Sequence, residues 1–528
     1  MSRKVIQCIV FVLLLSIAGC GQGASPVVPS GPARSLEFWT SPLNLYSATP
    51  DVDRFWDVDL ATIVAGPGVF GYTPGDIWDM PNMMGQPSNY CGAVSLCKSN
   101  DPQSVHDQFP WLTWLLTNHM PANLPVVVYA SQGPAAAKPT CSALFEFPKC
   151  DAITLMKQPG MQVIELAVCY MVKPTGVGPA PWDIGVTINE WPANSAYFPI
   201  GGEDFPNQSK NWLWMTETDE RLPDIAYDPY TGDLYLVWTV LGDPSVVNYR
   251  RYDRESETWS DAYPVHAADH HGWTPRIDVG LMDNLPAWPN ETGVNTVAVA
   301  YSAFGEGEHV DGWHPCVVYW RTSDPDAAKG DNLLSAWNNV PQFNGLDSGI
   351  PVVDIGPNSN AQHYGALVFV QEMGEDINDQ MRYGVYEIDS IQHGYLRIDT
   401  PPPPPALDSI LPSIAVHYDS LGSPHEASLS YFAGYDASTW VPWTCRVNLD
   451  LPVNDPLKVY NSTQISFITL GDWTPYQYLQ INPGLSSSIV VREDHGYWAG
   501  FCDRVDRNDD DPLKLPKMPF VAFGRTNG

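Results

Sequence analysis

Basic residues are scarce in this chain of 528 residues, which has 27 Lys and Arg against 60 Asp and Glu and a formal net charge of −33. Proteins bind DNA and RNA through clustered Lys and Arg that neutralise phosphates, and no basic stripe occurs in the sequence. The composition therefore argues against nucleic acid as a partner. An acidic surface suits an exported domain and the binding of cations at its loops.

Long apolar runs are lacking except near the N-terminus. The run from Val5 to Ala18 follows Arg3 and Lys4 and is too short to cross a bilayer comfortably. It ends in Ile17-Ala18-Gly19-Cys20, which resembles a bacterial lipobox. We therefore predict a lipoprotein signal peptide over residues 1–19, acylation of Cys20 and a flexible tether over residues 20–35. A simple secretory signal is the alternative.

This resemblance also predicts the location of the protein. Gly21, and not Asp, follows the predicted lipidation site. By analogy with Gram-negative sorting, this indicates the bacterial cell envelope and the outer membrane. The membrane would then be a partner through the N-terminal lipid.

The ten cysteines include no CxxC pair and no CxxCH haem motif. If Cys8 leaves with the signal peptide and Cys20 carries the lipid, an even number remains in an oxidising compartment. Short spacing predicts two local disulfides, Cys91–Cys97 and Cys141–Cys150. The other four cysteines fall on predicted strands and could pair or be buried thiols: Cys169, Cys316, Cys445 and Cys502.

Proline and glycine, with 50 and 41 residues, divide the chain into short segments. From Leu222 to Pro264 the sequence alternates like four short strands separated by turns. The pattern returns with a period of about 60 residues, which is typical of propeller repeats; the later copies open near Trp273, Ile350, Leu411 and Trp473. We predict an all-β fold, a β-propeller of four-stranded antiparallel blades, with seven blades favoured over six or eight.

The domain organisation follows from this repeat. We predict one propeller domain over residues 36–528, with an insertion at about residues 73–123 that interrupts the first blade. Within that insertion, the apolar segment from Phe109 to Met120 is predicted to be a short helix.

The segment from Asp253 to Trp259 resembles an Asp-box, the Ser-x-Asp-x-Gly-x-Thr-Trp turn of sialidase-like propellers with bacterial neuraminidase repeats. One residue is inserted and the family's Gly is missing. The resemblance implies a propeller in which this segment is a structural turn. The arginines Arg250, Arg321, Arg382 and Arg446 each fall on the predicted third strand of a blade, which favours a scaffold role over substrate binding.

Two separated segments supply a candidate metal or acid–base site. In a four-stranded meander, the link into a blade and its second-to-third turn lie on the same face. That placement brings together the histidines and carboxylates of two such segments: Asp269, His270, His271, Glu308, His309, Asp311 and His314. Imidazole and carboxylate suit a divalent metal or proton transfer near neutral pH. A polar loop surface with unrelated histidines is the alternative.

The same face collects further carboxylates that precede successive blades, with tryptophans beside them; these carboxylates are Asp219, Asp347, Asp408 and Asp472. Such an acidic funnel could hold a glycan or a cation. Near the C-terminus, residues Asp506 to Asp511 have the D-x-N-x-D spacing of a calcium loop but lack its Gly and Glu. A solvated acidic loop is the alternative there.

These features leave two function classes open. The first is an exported, lipid-anchored binding or scaffold protein for a glycan or protein ligand, since no complete catalytic set can be read from the sequence. The second is a sialidase-like glycoside hydrolase that uses carboxylates on the funnel face.

Lipidation is testable by changing Cys20→Ser and expressing both proteins in a Gram-negative host. The unchanged chain should incorporate fatty acid and fractionate with membranes, and the variant should do neither. A variant that still carries acyl chains would contradict the lipobox interpretation.

Overall fold

The computed structural model describes the backbone of thirty strands and of the turns near the middle of the chain. The described residues are 37–39, 43–44, 53–64, 88–99, 108–118, 126–134, 143–158, 161–174, 180–192, 208–266, 271–283, 290–304, 313–324, 334–335, 347–357, 364–373, 382–387, 394–398, 408–416, 426–434, 441–448, 451, 459–464, 487–491, 496–504 and 517–526. Within these ranges there is no helix that could cross a bilayer.

Two short N-terminal strands come first, β1 (Glu37–Trp39) and β2 (Leu43–Asn44). Three antiparallel sheets follow, each with its strands in chain order. Sheet 1 contains β3 (Asp53–Val64), β4 (Ser88–Ser99), β5 (Gln108–Asn118) and β6 (Val126–Pro134). Sheet 2 contains β7 (Ala143–Gln158), β8 (Met161–Pro174), β9 (Asp183–Pro192) and β10 (Gln208–Trp214). Sheet 3 contains β11 (Glu220–Tyr227), β12 (Leu234–Val240), β13 (Val246–Asp253), β14 (Thr258–Trp259) and β15 (Tyr263–Pro264).

Four further sheets complete the described part of the chain. Sheet 4 contains β16 (His271–Met282), β17 (Val294–Phe304), β18 (Trp313–Arg321) and β19 (Leu334–Ser335). Sheet 5 contains β20 (Asp347–Pro357), β21 (Tyr364–Met373), β22 (Arg382–Glu387) and β23 (Gly394–Ile398). Sheet 6 contains β24 (Asp408–Val416), β25 (Glu426–Gly434), β26 (Val441–Asn448) and β27 (Val459–Gln464). Sheet 7 contains β28 (Ser487–Val491), β29 (Gly496–Arg504) and β30 (Lys517–Thr526), and both β1 and β2 pair with β30.

The predicted all-β fold of four-stranded antiparallel sheets is confirmed. The first strand of each sheet contacts the first strand of the next sheet, and β28 of sheet 7 contacts β3 of sheet 1. The N-terminal strand β1 pairs with the C-terminal strand β30, with Phe38 opposite Arg525. The two ends of the 37–528 unit are therefore joined within one sheet.

The predicted insertion at residues 73–123 is wrong in its central part. Strands β4 and β5 are the second and third strands of sheet 1, and β4 pairs with both β3 and β5. The predicted helix from Phe109 to Met120 is likewise a strand over Gln108–Asn118. Periodicity alone does not distinguish a short, apolar, aromatic run in a buried strand from one in a helix.

The predicted Cys91–Cys97 disulfide is also wrong. Both residues lie on the single strand β4, where Cys91 pairs with Thr62 and Cys97 with Phe55. Six residues of extended chain separate two Cα atoms by about 20 Å, and a disulfide needs a Cα separation below about 7 Å. Cys141 lies outside the described residues, so the Cys141–Cys150 pair stays a prediction.

Strand β12 explains how the middle sheets pack. Leu234, Leu236 and Trp238 belong to the core between sheets 2 and 3, while Tyr235 and Val237 belong to the core between sheets 3 and 4. Successive side chains of a strand point to opposite faces. Both faces of sheet 3 are therefore buried, which is why the strand reads as a nearly continuous apolar run.

The Asp-box-like segment is a structural turn between β13 and β14, as the resemblance implies. The Ser256 N–H donates to Asp253 Oδ1 at 2.9 Å, and Tyr252 pairs with Trp259. The Trp259 ring then packs edge-on against Trp214 of sheet 2, with ring centroids 5.1 Å apart. The turn thus helps to join two sheets.

The pairing of β1 and β29 with β30 predicts that the C-terminal strand stabilises the whole unit. A chain ending at Arg504 lacks β30 and exposes the edges of its partners β1, β2 and β29. We expect its Tm to fall by several degrees, since several kcal/mol are lost and 1 kcal/mol corresponds to about 1 °C in a unit of this size. Calorimetry against a chain ending at Thr526 gives the comparison, and equal melting of the two truncated proteins would contradict this role.

Candidate functional site

The topological argument for the predicted histidine site holds for the backbone. His271 pairs with Phe304, and Phe304 pairs with Trp313. The beginning of β16 and the connection from β17 to β18 therefore lie at the same end of sheet 4. His314 pairs with Ala303 at that end, and its side chain is not described.

The metal site itself stays a prediction. Five of its residues lie outside the described ranges: Asp269, His270, Glu308, His309 and Asp311. The calcium-like segment Asp506–Asp511 also lies outside them. Among the residues whose placement is described, no group of three or more His, Cys, Asp or Glu side chains could hold a metal ion.

His271 has the contacts of a residue that caps a strand edge. The Ser245 backbone N–H donates to His271 Nδ1 at 3.1 Å, and His271 Nε2 lies 3.6 Å from Asp243 Oδ1. Because Nδ1 accepts a hydrogen bond, the neutral ring carries its proton on Nε2, towards the carboxylate. Neither nitrogen then offers a free lone pair to a metal, and metal-bound histidines normally donate from their second nitrogen.

A second cluster lies where β11 begins, on the face predicted to be the funnel. Asp219 precedes β11, as predicted for carboxylates at blade openings, and its carboxylate accepts from the Trp182 N–H at 3.0 Å. The Glu220 N–H donates to the Trp182 carbonyl at 2.8 Å. The Thr216 N–H donates to Asp183 Oδ1 at 2.8 Å. These bonds fix the link between sheets 2 and 3.

Two acidic side chains of this cluster are buried. Glu220 is 5% exposed and Asp183 is 2% exposed. Burial, with a smaller contribution from the nearby Asp183 charge, raises the pKa of Glu220 to about 7. Burial also raises the pKa of Asp183 above its ordinary value. A glutamic acid that is partly protonated at neutral pH can donate a hydrogen bond or a proton.

Cationic side chains lie over the tryptophans that surround these acids. The Arg250 guanidinium lies 4.8 Å from the Trp214 ring and 5.9 Å from Trp238. Arg221 lies 5.4 Å from the Trp182 ring and donates two hydrogen bonds to Asp219, at 2.9 and 2.8 Å. We call this set the Glu220 cluster; its members are Trp182, Asp183, Trp214, Asp219, Glu220, Arg221, Trp238 and Arg250.

Sequence reasoning found Asp219 and missed the two buried acids. Asp183 begins β9, the third strand of sheet 2, and Glu220 begins β11 of sheet 3. The available signal was a run of acidic residues at a strand start, Asp219-Glu220. That signal does not distinguish a solvated acid from a buried one.

A different set of carboxylates joins the first strands of consecutive sheets. We call them the inner aspartates: Asp59, Asp151, Asp224, Asp278 and Asp354. Each accepts a hydrogen bond from a backbone N–H on the first strand of the following sheet. The donors are Cys150 at 3.0 Å, Tyr227 at 2.7 Å, Ile277 at 3.0 Å, Ile355 at 2.6 Å and Val416 at 2.5 Å.

Few cations accompany the inner aspartates. Lys149 Nζ lies 3.3 Å from Asp59 Oδ1, and Arg276 lowers the pKa of Asp224 while burial raises it more. Burial raises the pKa of Asp151 to about 7 and that of Asp354 to about 6. Burial, together with the neighbouring Asp354, raises the pKa of Asp278 well above its ordinary value. Part of the set is therefore protonated at neutral pH.

The raised pKa values predict that acid stabilises these junctions. The stability that Asp151 contributes is fully present below about pH 4, the pKa of this carboxyl group in the unfolded chain. It is lost as the pH rises through about 7, the pKa of Asp151 in the folded chain. The variant Asp151→Asn stays neutral, so its free energy of unfolding should fall less than that of the unchanged chain between pH 5 and pH 8. Urea unfolding at both pH values measures this difference.

Asp253→Asn is the matched control for that experiment. Hydrogen bonds from Ser256 lower the pKa of the Asp253 carboxyl, so this group stays ionised from pH 5 to pH 8. Its removal should leave the slope of stability against pH unchanged. An Asp151→Asn protein with the slope of the unchanged chain would contradict the prediction.

Comparison with known proteins gives no family assignment. No family model and no curated protein matches the chain. Among solved structures, it is similar to an ulvan lyase of polysaccharide lyase family PL25, with 11% identity, a TM-score of 0.39, and coverage of 81% of this chain and 89% of that one. It is also similar to a Hadza microbial sialidase (10% identity, TM-score 0.36, coverage 93% and 92%). A third similarity is to the haemagglutinin-neuraminidase ectodomain of parainfluenza virus 5 (9% identity, TM-score 0.38, coverage 75% and 84%). At these TM-scores, the similarities carry no inference about activity or substrate.

Proposed function

We propose that the chain is a closed seven-bladed β-propeller, exported and anchored through a lipid on Cys20 to the bacterial outer membrane. The described residues form seven antiparallel sheets, each with a path of four paired strands, and this supports the blade number. The succession of contacts between first strands, which returns from β28 to β3, supports closure. Pairing of β1 with β30 supports a last blade built from both ends of the domain.

We propose further that this propeller binds a glycan at the Glu220 cluster. The observation that carries this proposal is a buried carboxyl group, Glu220, with a pKa of about 7 among three tryptophans and two arginines. Ligand sites combine aromatic surface with a few convergent polar groups, and perturbed pKa values concentrate at such sites. A protonated carboxyl and guanidinium groups supply donors for the hydroxyl and carboxylate oxygens of a sugar.

The alternative is a sialidase-like glycoside hydrolase that works at the same place. One observation favours it: Glu220 keeps a proton near neutral pH, as a general acid requires. In this case Glu220 would protonate the leaving glycosidic oxygen. A second carboxylate would act on the opposite face of the sugar.

Binding assays with a panel of neutral and uronic-acid polysaccharides separate these proposals, with reducing-end release measured on the same samples. Trp214→Ala should weaken binding about tenfold or more, the loss of roughly 1.4 kcal/mol. Glu220→Gln keeps a hydrogen-bond donor, so a binder should retain most of its affinity. A hydrolase should lose its activity in this variant.

Tyr230→Ala provides the control. Tyr230 is 53% exposed and lies in the turn between β11 and β12, at the opposite end of sheet 3 from Glu220. Its removal should change neither binding nor sugar release. Equal affinities of Trp214→Ala, Tyr230→Ala and the unchanged protein for every bound polysaccharide would contradict the proposed site.

A further inference from the structure

A buried ion pair joins the first strands of sheets 1 and 2. Lys149 Nζ on β7 lies 3.3 Å from Asp59 Oδ1 on β3. Of the Lys149 side chain 13% is exposed, and of the Asp59 side chain 14%. Both residues lie inside their strands rather than in the loops that connect them. An amine and a carboxyl group, which can condense to an amide, are therefore held together where little water reaches them.

The Asp59 carboxylate is held at both of its oxygens. Oδ1 faces the Lys149 ammonium, and the backbone N–H of Cys150 donates to Oδ2 at 3.0 Å. Adding a C–O bond of about 1.2 Å to the 3.3 Å contact places Lys149 Nζ no more than about 4.5 Å from Asp59 Cγ. The Cys150 N–H is also placed to stabilise negative charge that develops on Oδ2 when Cγ is attacked.

A second carboxyl group lies near this pair. Asp224 is on β11, the first strand of sheet 3, and its carboxyl accepts from the Ile277 N–H at 3.0 Å. Burial raises the pKa of Asp224, the charge of Lys149 lowers it and the charge of Asp59 raises it. Asp224 is therefore close enough to respond to both partners, and it holds a proton more readily than an exposed carboxyl group does. Such a group can transfer protons between a nucleophile and a leaving group.

We propose that Lys149 and Asp59 condense to an isopeptide bond that joins sheets 1 and 2 covalently. One proton passes from the ammonium to Oδ1, which leaves a neutral amine beside a neutral carboxyl group. The amine then attacks, so that a bond forms between Nζ and Cγ and the bond between Cγ and Oδ1 breaks. Oδ1 leaves as water with two of the three ammonium protons, and the third stays on the amide nitrogen. The step needs no oxidant, reductant or further reactant.

The neighbouring groups have separate roles in this condensation. Asp224 gives a proton to the departing Oδ1 and takes one from the attacking nitrogen. The Cys150 N–H stabilises the oxyanion on Oδ2 and then keeps its hydrogen bond to the amide carbonyl. The Phe147 ring, whose centre is 5.6 Å from Lys149 Nζ, covers the amine. Exclusion of water by this ring favours a reaction that releases water.

Peptide mapping of the full chain tests the bond. The protein is purified, denatured, digested with trypsin and analysed by mass spectrometry. We expect Lys149 and Asp59 in one cross-linked species, lighter by one water molecule than the two separate peptides together. Trypsin should not cleave after Lys149, because its amine is acylated. Recovery of the two residues only in separate linear peptides would overturn the proposal.

Lys149→Arg is the matched control variant. Arginine keeps a cation that can pair with Asp59, but it does not form the amide, so its digest should contain linear peptides alone. A cross-link to Asp59 in this variant would show that Lys149 is not the nucleophile. The digest of the unchanged chain decides the proposal even if the variant does not fold.

Asp224→Asn tests the transfer of protons. The Asn side chain can still accept from the Ile277 N–H, but it does not carry a proton between the reacting groups. Newly made protein is pulse-labelled, and the cross-linked fraction is followed with time in both chains. We expect the bond to form about 100-fold more slowly in the variant. Equal rates in the two proteins would refute the role of Asp224.

Discussion

Buried carboxylates that accept backbone N–H groups from the neighbouring sheet are the interaction on which this structure depends. Strand pairing satisfies the backbone within each sheet, but it does not join one sheet to the next. The inner aspartates supply that connection at five successive junctions, from sheet 1 to sheet 6. Each bond uses an N–H that would otherwise be buried without a partner. Side-chain carboxylates therefore position the first strands against one another.

Other polar contacts reinforce the junction of sheets 2, 3 and 4 further from the first strands. Arg254, within the Asp-box-like segment of sheet 3, donates to Glu165 of sheet 2 through both terminal nitrogens, one of them at 2.6 Å. Asn295 of sheet 4 donates to Asp228, in the β11–β12 turn, at 2.6 Å. At the junction of sheets 2 and 3, Trp212 and Trp214 also pack on Trp259. The middle sheets thus share both an apolar core and polar bonds at their edges.

The same physical property, burial of acidic groups, links the scaffold to the candidate site. Burial raises the pKa of Glu220 to about 7, and it also raises the pKa values of the inner aspartates Asp151 and Asp278. Acid therefore strengthens the aspartate junctions, because the raised pKa values favour the protonated carboxyl groups in the folded chain. The pH therefore affects the proposed ligand face through Glu220 and the junctions between sheets through the inner aspartates.

Local sequence patterns predicted strands. The described structure confirms the predictions that depended only on residues close to one another in sequence. Alternation and turn residues from Leu222 to Pro264 predicted the meander of sheet 3. The third-strand positions of Arg250, Arg321, Arg382 and Arg446 were also correct. The topology of a four-stranded meander predicted that the link into sheet 4 and the turn between its second and third strands lie at the same end of that sheet. Period-2 alternation and turn chemistry involve neighbours in sequence, so one segment carries enough information.

Contacts between distant segments were decided only by the tertiary structure. The donors that the inner aspartates meet lie 53 to 91 residues further along the chain. Cys91 and Cys97 are close in sequence but far apart on one extended strand. Whether Phe109 lay on a helix or a strand depended on the partners β4 and β6. The sequence shows that Glu220 is acidic, but its pKa is raised to about 7 by its burial in the folded chain and by the charge of Asp183 on the neighbouring sheet.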